Sequence, residues 1–328
     1  MRFLKRIGID SYMLMLIGAV LLGVILPAQG MAASLLKFAT YWAVALLFFL
    51  YGAKLDAASV RAGMMNWRLQ GLTFAATYVI IPLIGLAVAT IFGGLLPSEV
   101  VLGVLFLAVL PSTVQSSIAF TSMAGGNVPA AICAASVSNL IGVALTPALV
   151  ALILHQGGGG ISMDAVVKIG TQILLPFVVG QLVRPWLGEF VKRHRVLTLT
   201  VDRGSILLIV YSAFSAGTVS GLWNEIPPQS LIVLIAVMLT FLAAVFGVML
   251  GAGRLFSLPY EDRVVLFFCG STKSLASGLP MATALFPAAT VGATVLPVLV
   301  YHMSQLLVCA MIAQASARRR ARAGAVPV

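Results

Sequence analysis

Charge is what this sequence has least of. Only 9% of its 328 residues are Asp, Glu, Lys or Arg while 61% are hydrophobic, against roughly 25% charged in an ordinary soluble domain. That scarcity excludes a surface facing water on every side, so lipid is the solvent for most of the chain. Acidic residues are rarer still, 9 against 20 Lys and Arg. Asp10, Asp56, Glu99, Asp164, Glu189, Asp202, Glu225, Glu261 and Asp262 all fall between the apolar runs or at their ends. No carboxylate is therefore expected at mid-membrane to carry a proton or neutralise a bound cation. The three cysteines, Cys133, Cys269 and Cys309, lie inside apolar runs, which excludes a disulfide framework and reads as packing. No metal-ligand cluster, nucleophile–base set or nucleotide motif appears, and the four glycines at 157–160 precede no helix of the kind a phosphate loop needs. An enzyme is disfavoured and no cofactor is expected.

What is present is apolar length. Uncharged runs predict ten transmembrane spans, at 12–32, 34–53, 69–95, 99–123, 127–154, 163–183, 203–223, 229–253, 263–286 and 288–314. The basic N-terminus followed by a span-length run reads as the first of these rather than as a cleaved leader. Loop assignment of the basic residues tests the count. One side receives Arg2, Lys5 and Arg6, then Lys54, Arg61 and Arg68, then Arg184, Lys192, Arg193, Arg195 and Arg203. It also receives Arg254, Arg263, Arg318, Arg319, Arg320 and Arg322, leaving Lys37 and Lys168 for the other side. Positive loops are cytoplasmic, so the expectation is an inner-membrane protein with both termini in the cytoplasm. The formal charge of +11 is then topological and implies no nucleic-acid partner.

A shift of 158 residues superposes Pro27 on Pro185, Gln115 on Lys273, Pro129 on Pro287 and Ala130 on Ala288. It also brings together the two most polar intramembrane segments, Pro111-Ser-Thr-Val-Gln-Ser-Ser117 in span 4 and Cys269-Gly-Ser-Thr-Lys-Ser-Leu275 in span 9. Five spans per half is an odd number, so the halves insert with opposite topology. The plan is an all-α, five-plus-five inverted repeat, with repeats 1–158 and 159–316 and a basic cytoplasmic tail 317–328. Helices interrupted at equivalent places in two halves point to a substrate site.

The candidate site is therefore Thr113, Gln115, Ser116, Ser117, Ser271, Thr272, Lys273 and Ser274. Lys273 carries the most weight: about ten residues, or about 15 Å of helix, separate it from Arg263, and an ionisable group at that depth is functional by default. It would stand in for a bound cation or attract an anionic group, with proton coupling as a further option. Weaker candidates are Ser136, Ser138 and Asn139 in span 5, and His302 and Gln305, which share a face of span 10. For Asn127, capping of the fifth helix is favoured over ligand binding. The bland alternative, that small polar residues only let helices pack closely, does not account for the lysine.

These runs resemble a known family. Pro111-Ser-Thr-Val-Gln-Ser-Ser117, Gly126-Asn127-Val128 and Leu145-Thr-Pro147 are similar to the fourth and fifth helices of the bile acid:sodium symporter family. Ala45-Leu-Leu-Phe-Phe49, Phe120-Thr-Ser-Met-Ala-Gly-Gly-Asn127 and Phe268-Cys-Gly-Ser-Thr-Lys-Ser-Leu-Ala276 resemble its branch of orphan substrates, whose eukaryotic relatives are linked to calcium uptake. The resemblance covers almost the whole chain. It implies a panel domain of spans 1, 2, 6 and 7 and a core domain of spans 3–5 and 8–10, with helices 4 and 9 unwound and crossing at an ion site. Substrate would lie between the domains. By position, the family's sodium-binding Ser–Asn pair falls on Ser116 and Ser117, its span 5 hydroxyls on Ala131 and Ala135, and its span 9 Glu and Gln near Phe268 and Thr272. This sequence departs from most of those ligands. The expectation is a secondary transporter of a small organic anion working by alternating access, with Lys273 in place of the cation. The alternatives are a sodium-coupled symporter with an altered ion site and a non-transporting membrane regulator of calcium uptake.

Overall fold

In a computed structural model, residues 11–54, 66–156 and 169–324 are described. The N-terminal basic cluster, Arg61, the glycines at 157–160, Lys168 and the boundary expected at residue 158 lie outside them. The described residues are helical, with no strand: α1 Ser11–Ile25, α2 Gly30–Lys54, α3 Trp67–Leu95, α4 Ser98–Ala108, α5 Gln115–Met123, α6 Val128–Gln156 and α7 Leu175–Arg193. They continue as α8 Arg195–Val219, α9 Pro228–Leu255, α10 Tyr260–Ser271, α11 Leu275–Leu285 and α12 Ala288–Gly324. Helix is the only open-chain solution in lipid, because each segment must satisfy its own N–H and C=O groups. Seven helical stretches among the described residues are long and apolar enough to cross a bilayer, one of them the bent pair α10–α11, and two shorter apolar helices accompany them. The protein is a multi-pass membrane protein.

The helices pack as two groups. In the first, α1 lies against α8, and α2 against both α7 and α8. In the second, α3 packs on α4 and α9, α4 on α12, and α5 on α6, α10 and α12. There α9 also packs on α10 and α12, and α11 on α12, while α8 touches α11 and α12 and joins the two groups. At the α2–α7 crossing the backbones nearly touch. A Cβ added at Gly52 would overlap the Phe177 carbonyl oxygen, and one at Gly180 the Phe49 carbonyl oxygen. Small residues are what allow helices to approach so closely in a membrane.

Two expected boundaries are corrected. The first connection lies at residues 26–29, not at residue 33: Pro27 ends α1, Gly30 takes φ +55, and the Ala28 N–H is held by the Ser215 hydroxyl. The loop expected between spans 6 and 7 is helical, with α7 and α8 meeting at His194, so Arg184 and Arg203 sit within helices. Hydropathy marks where lipid ends; it does not mark where a helix ends. Beyond residue 317 the basic tail continues α12 as far as Gly324, in a run rich in the strong helix formers Ala and Arg. Arg320 folds back on the body, donating to the Ala124 carbonyl at 3.3 Å over the ring of Tyr260.

Candidate functional site

The segments expected to be spans 4 and 9 both contain a helix break. Residues 109–114 separate α4 from α5, and residues 272–274 separate α10 from α11. Such breaks free backbone groups that lipid cannot satisfy, and many of these are answered by groups on neighbouring segments. The two breaks bond to each other through Ser274 N–H and the Pro111 carbonyl (2.8 Å). The Ser112 hydroxyl donates to the Cys269 carbonyl (2.6 Å), and the Thr113 hydroxyl donates to Thr272 Oγ1 (2.9 Å). From α6, Ser138 Oγ accepts the Ser112 N–H (3.0 Å), Asn139 donates to the Ser112 carbonyl (2.7 Å) and Thr146 to the Val109 carbonyl (2.8 Å). The Ser117 hydroxyl turns back to the Thr113 carbonyl. Tyr301 on α12 donates to the Ser271 carbonyl (2.9 Å).

Lys273 completes the set. Its ammonium donates to three backbone carbonyls, those of Thr77 (2.9 Å), Ala108 (2.8 Å) and Leu110 (2.7 Å). An ammonium has three protons and no acceptor capacity, so all of them are used. Local sequence explains why those carbonyls are free. Within the π-helical turn at Ala76–Ile80, the Ile81 N–H bonds to Ala76. The Thr77 carbonyl would pair with residue 82, a proline with no N–H. Ala108 ends α4 and Leu110 lies in the break just beyond it, where carbonyls have no intrahelical donor. Gln305 then grips the main chain of Lys273 from both sides, its Oε1 accepting the Lys273 N–H (2.8 Å) and its Nε2 donating to the Lys273 carbonyl (2.8 Å).

Beside this crossing lies a cavity of about 870 Å³ between the two helix groups. Of the predicted residues, Thr113, Gln115, Ser116, Ser136, Asn139, Ser274 and His302 line it. Lys273, Ser117, Ser138, Ser271, Thr272 and Gln305 do not; they are buried in the scaffold behind its wall. Asn127 stands apart from it: its Oδ1 accepts the Ala130 N–H (3.1 Å) at the start of α6, and its Nδ2 donates to Asp262 (3.0 Å). Asn127→Ala should therefore cost about 1–2 kcal/mol, the usual worth of such a cap, read as a fall in melting temperature with the cavity unchanged. The first turns of α5 and α11 both face the cavity, through Gln115 and Ser116 and through Leu275, Ala276 and Ser277. First-turn N–H groups lack intrahelical partners and carry the positive end of the helix dipole, which favours an anion.

The opposite wall went unpredicted. It is formed by Phe48, Tyr51 and Lys54 of α2, Phe177 of α7, and Asp202, Arg203 and Ile206 of α8, with Tyr12 of α1. Asp202, expected in a loop, sits in the third turn of α8, 8% exposed, and pairs with Lys54 at 2.5 Å. Arg203 lies over the Tyr12 ring at 5.0 Å. The signal available in sequence was the placing of opposite charges at the ends of spans 2 and 7, which loop assignment had treated as orientation marks. Tyr51 reaches across to the other group, donating to the Ala276 carbonyl at 3.3 Å.

The sequence model of the SBF-like CPA transporter family matches residues 10–318. The chain belongs to that family. Among SBF-like relatives, an uncharacterised protein of Pseudomonas aeruginosa is 48% identical over 96% of this chain and 95% of its own length. YfeH of Escherichia coli, named as a candidate symporter, is 43% identical over 93% and 92%. Sodium/bile acid cotransporter 7 of Rattus norvegicus is 26% identical over 94% and 92%. In this SBF-like chain, Ala131 and Ala135, where the resemblance put hydroxyls, are buried and apolar, as is Phe268.

Proposed function

We propose that this SBF-like protein is a sodium-independent secondary transporter of a small organic anion, working by alternating access in the inner membrane. The observation that carries the reading is the cavity, whose walls come from both helix groups and which receives the N-termini of two half-helices. Its volume, about 870 Å³, falls within the range of roughly 300–1,000 Å³ typical of small-molecule sites. An anionic group would sit against Gln115, Ser116, Ser274 and Ser277. Lys273 acts as a built-in cation: it holds three carbonyls at the helix crossing, so no bound ion is required to close the break. Proton coupling is the alternative to uncoupled transport.

The architecture proposed is ten spans in a five-plus-five inverted repeat, with α4–α5 and α10–α11 as the broken fourth and ninth spans. Panel and core are the two helix groups, and both termini are cytoplasmic. Helix pairing supports this. Exchanging spans n and n+5 turns the α1–α8 contact into α7–α2, α3–α4 into α9–α10, and α5–α6 into α11–α12, and all six pairs are in contact. The mouth bearing Lys54 and Arg203 would then open to the cytoplasm.

Reconstitution into proteoliposomes tests the reading. Uptake from a panel of labelled organic anions, taurocholate included, should differ by less than about twofold with and without a sodium gradient. Uptake that requires the gradient would transfer the protein to the sodium-coupled class. No uptake across the panel, together with a co-purified channel or pump whose activity changes, would establish the regulator.

A further inference from the structure

Ala276 lies in the first turn of α11, where its carbonyl would ordinarily accept the N–H of residue 280. Residue 280 is a proline and has no N–H to give. A bare acceptor inside a membrane protein is costly, and the answer comes from the other helix group: the Tyr51 hydroxyl of α2 donates to that carbonyl at 3.3 Å. Tyr51 and Ala276 both line the cavity, so the bond spans the boundary along which the two groups would move in alternating access. Around it the groups meet unevenly. One end is closed, because α8 packs on α11 and α12. Exchanging spans n and n+5 turns those pairs into α2–α5 and α2–α6, which are not closely packed among the described residues. The cavity occupies that gap, with Phe48 and Lys54 on α2 facing Gln115 on α5 and Ser136 on α6. The opposite conformation is the one in which these roles are exchanged.

We infer that the Tyr51–Ala276 hydrogen bond is a latch that favours the conformation whose cavity opens on the Lys54–Arg203 side, with no equivalent latch for the opposite conformation. The inference rests on the alternating-access reading and gives it a direction. In the proposed inverted repeat, a shift of 158 residues pairs Tyr51 with Ile209, Ala276 with Ile118 and Pro280 with Ser122. Isoleucine has no donor, and Ser122 has the N–H that the Ile118 carbonyl needs. The second half of the repeat therefore has an orphaned carbonyl and a hydroxyl that answers it across the boundary, and the first half has neither. Moving the groups apart bares the Ala276 carbonyl, since its own helix cannot supply a donor, and the opposite conformation makes no matching bond in return. A solute reverses that bias only by binding the opposite conformation more tightly.

The test is pulsed electron double resonance on the full chain in nanodiscs, with spin labels at Val196→Cys on α8 and Leu255→Cys on α9. Both positions are 80% exposed, and the native cysteines are buried. The wild type should show one dominant, longer distance. Tyr51→Phe keeps the ring and should raise the population of a second, shorter distance by about threefold or more, the shift produced by losing one hydrogen bond of ordinary worth. Pro280→Ala returns an N–H to the Ala276 carbonyl and should raise that population likewise, and it decides alone if Tyr51→Phe is not recovered folded. Adding Tyr51→Phe to Pro280→Ala should change little further, by less than about 1.5-fold, because both act on one bond. An equal effect of Tyr51→Phe with and without Pro280 overturns the assignment to this carbonyl. Two distances in unchanged proportion across the wild type and both single variants overturn the latch and leave alternating access standing. A single unchanged distance in every variant overturns both.

Discussion

Lys273→Met should lower the melting temperature of the purified protein by about 10 °C or more, or prevent its recovery as a monodisperse species. Methionine preserves much of the volume and removes the three donors that satisfy the Thr77, Ala108 and Leu110 carbonyls. Each orphaned buried acceptor costs about 1–3 kcal/mol, and a few degrees accompany each kcal/mol in a chain of this size. Lys273→Arg should fail as well, because a planar guanidinium fork does not reproduce the three diverging protons of an ammonium. Thermal unfolding followed by fluorescence in detergent is the measurement. A stable Lys273→Met protein that merely lost solute binding would show instead that the ammonium serves the solute, and would sink the built-in-cation reading.

Closing the α2–α7 crossing should be nearly as costly. Gly52→Ala and Gly180→Ala each drive a methyl group into a backbone carbonyl of the facing helix, and a backbone atom cannot rotate aside as a side chain can. The helices must separate, and overpacking of this kind costs roughly 1–3 kcal/mol. The double variant should cost less than the sum, since the first separation relieves the second contact. Gly18 and Gly71 serve as controls: an added Cβ at either meets nothing within 4 Å, so alanine there should be neutral or slightly stabilising. Equal melting temperatures for Gly52→Ala and Gly18→Ala would show that the close crossing is not required.

Much of this arrangement is legible in sequence because lipid reduces the choices. Uncharged runs locate the helices, since any other open backbone would be unsatisfied. The polar segments at 111–117 and 269–275 mark the breaks, since hydroxyls, glycine and proline are what a broken helix needs. The capping role of Asn127 follows from its place after two glycines and just before an apolar run. Other features escape. That Ser117, Thr272 and Gln305 serve the backbone while Ser116, Ser274 and His302 face the cavity depends on which side of each helix is covered. Spacing within one helix does not reveal that. Asp202 borders charged residues and so reads as loop from sequence, yet α8 extends a further two turns and carries it to the cavity wall.

Taken alone, the sequence determined the solvent and the outline: a multi-pass helical membrane protein interrupted at two polar segments, with a single lysine deep in the second. The burial cost of charge and of unpaired backbone groups forces that much, and both are local quantities. Only the tertiary structure decided what the lysine does and where a solute fits. Both depend on contacts between segments at least 148 residues apart: Lys273 with Thr77, Ala108 and Leu110, and Asp202 with Lys54 across α2 and α8. Hydrophobic pattern records that a residue is buried. Which carbonyl it meets, and whether it faces a partner or a cavity, is set by how the helices cross.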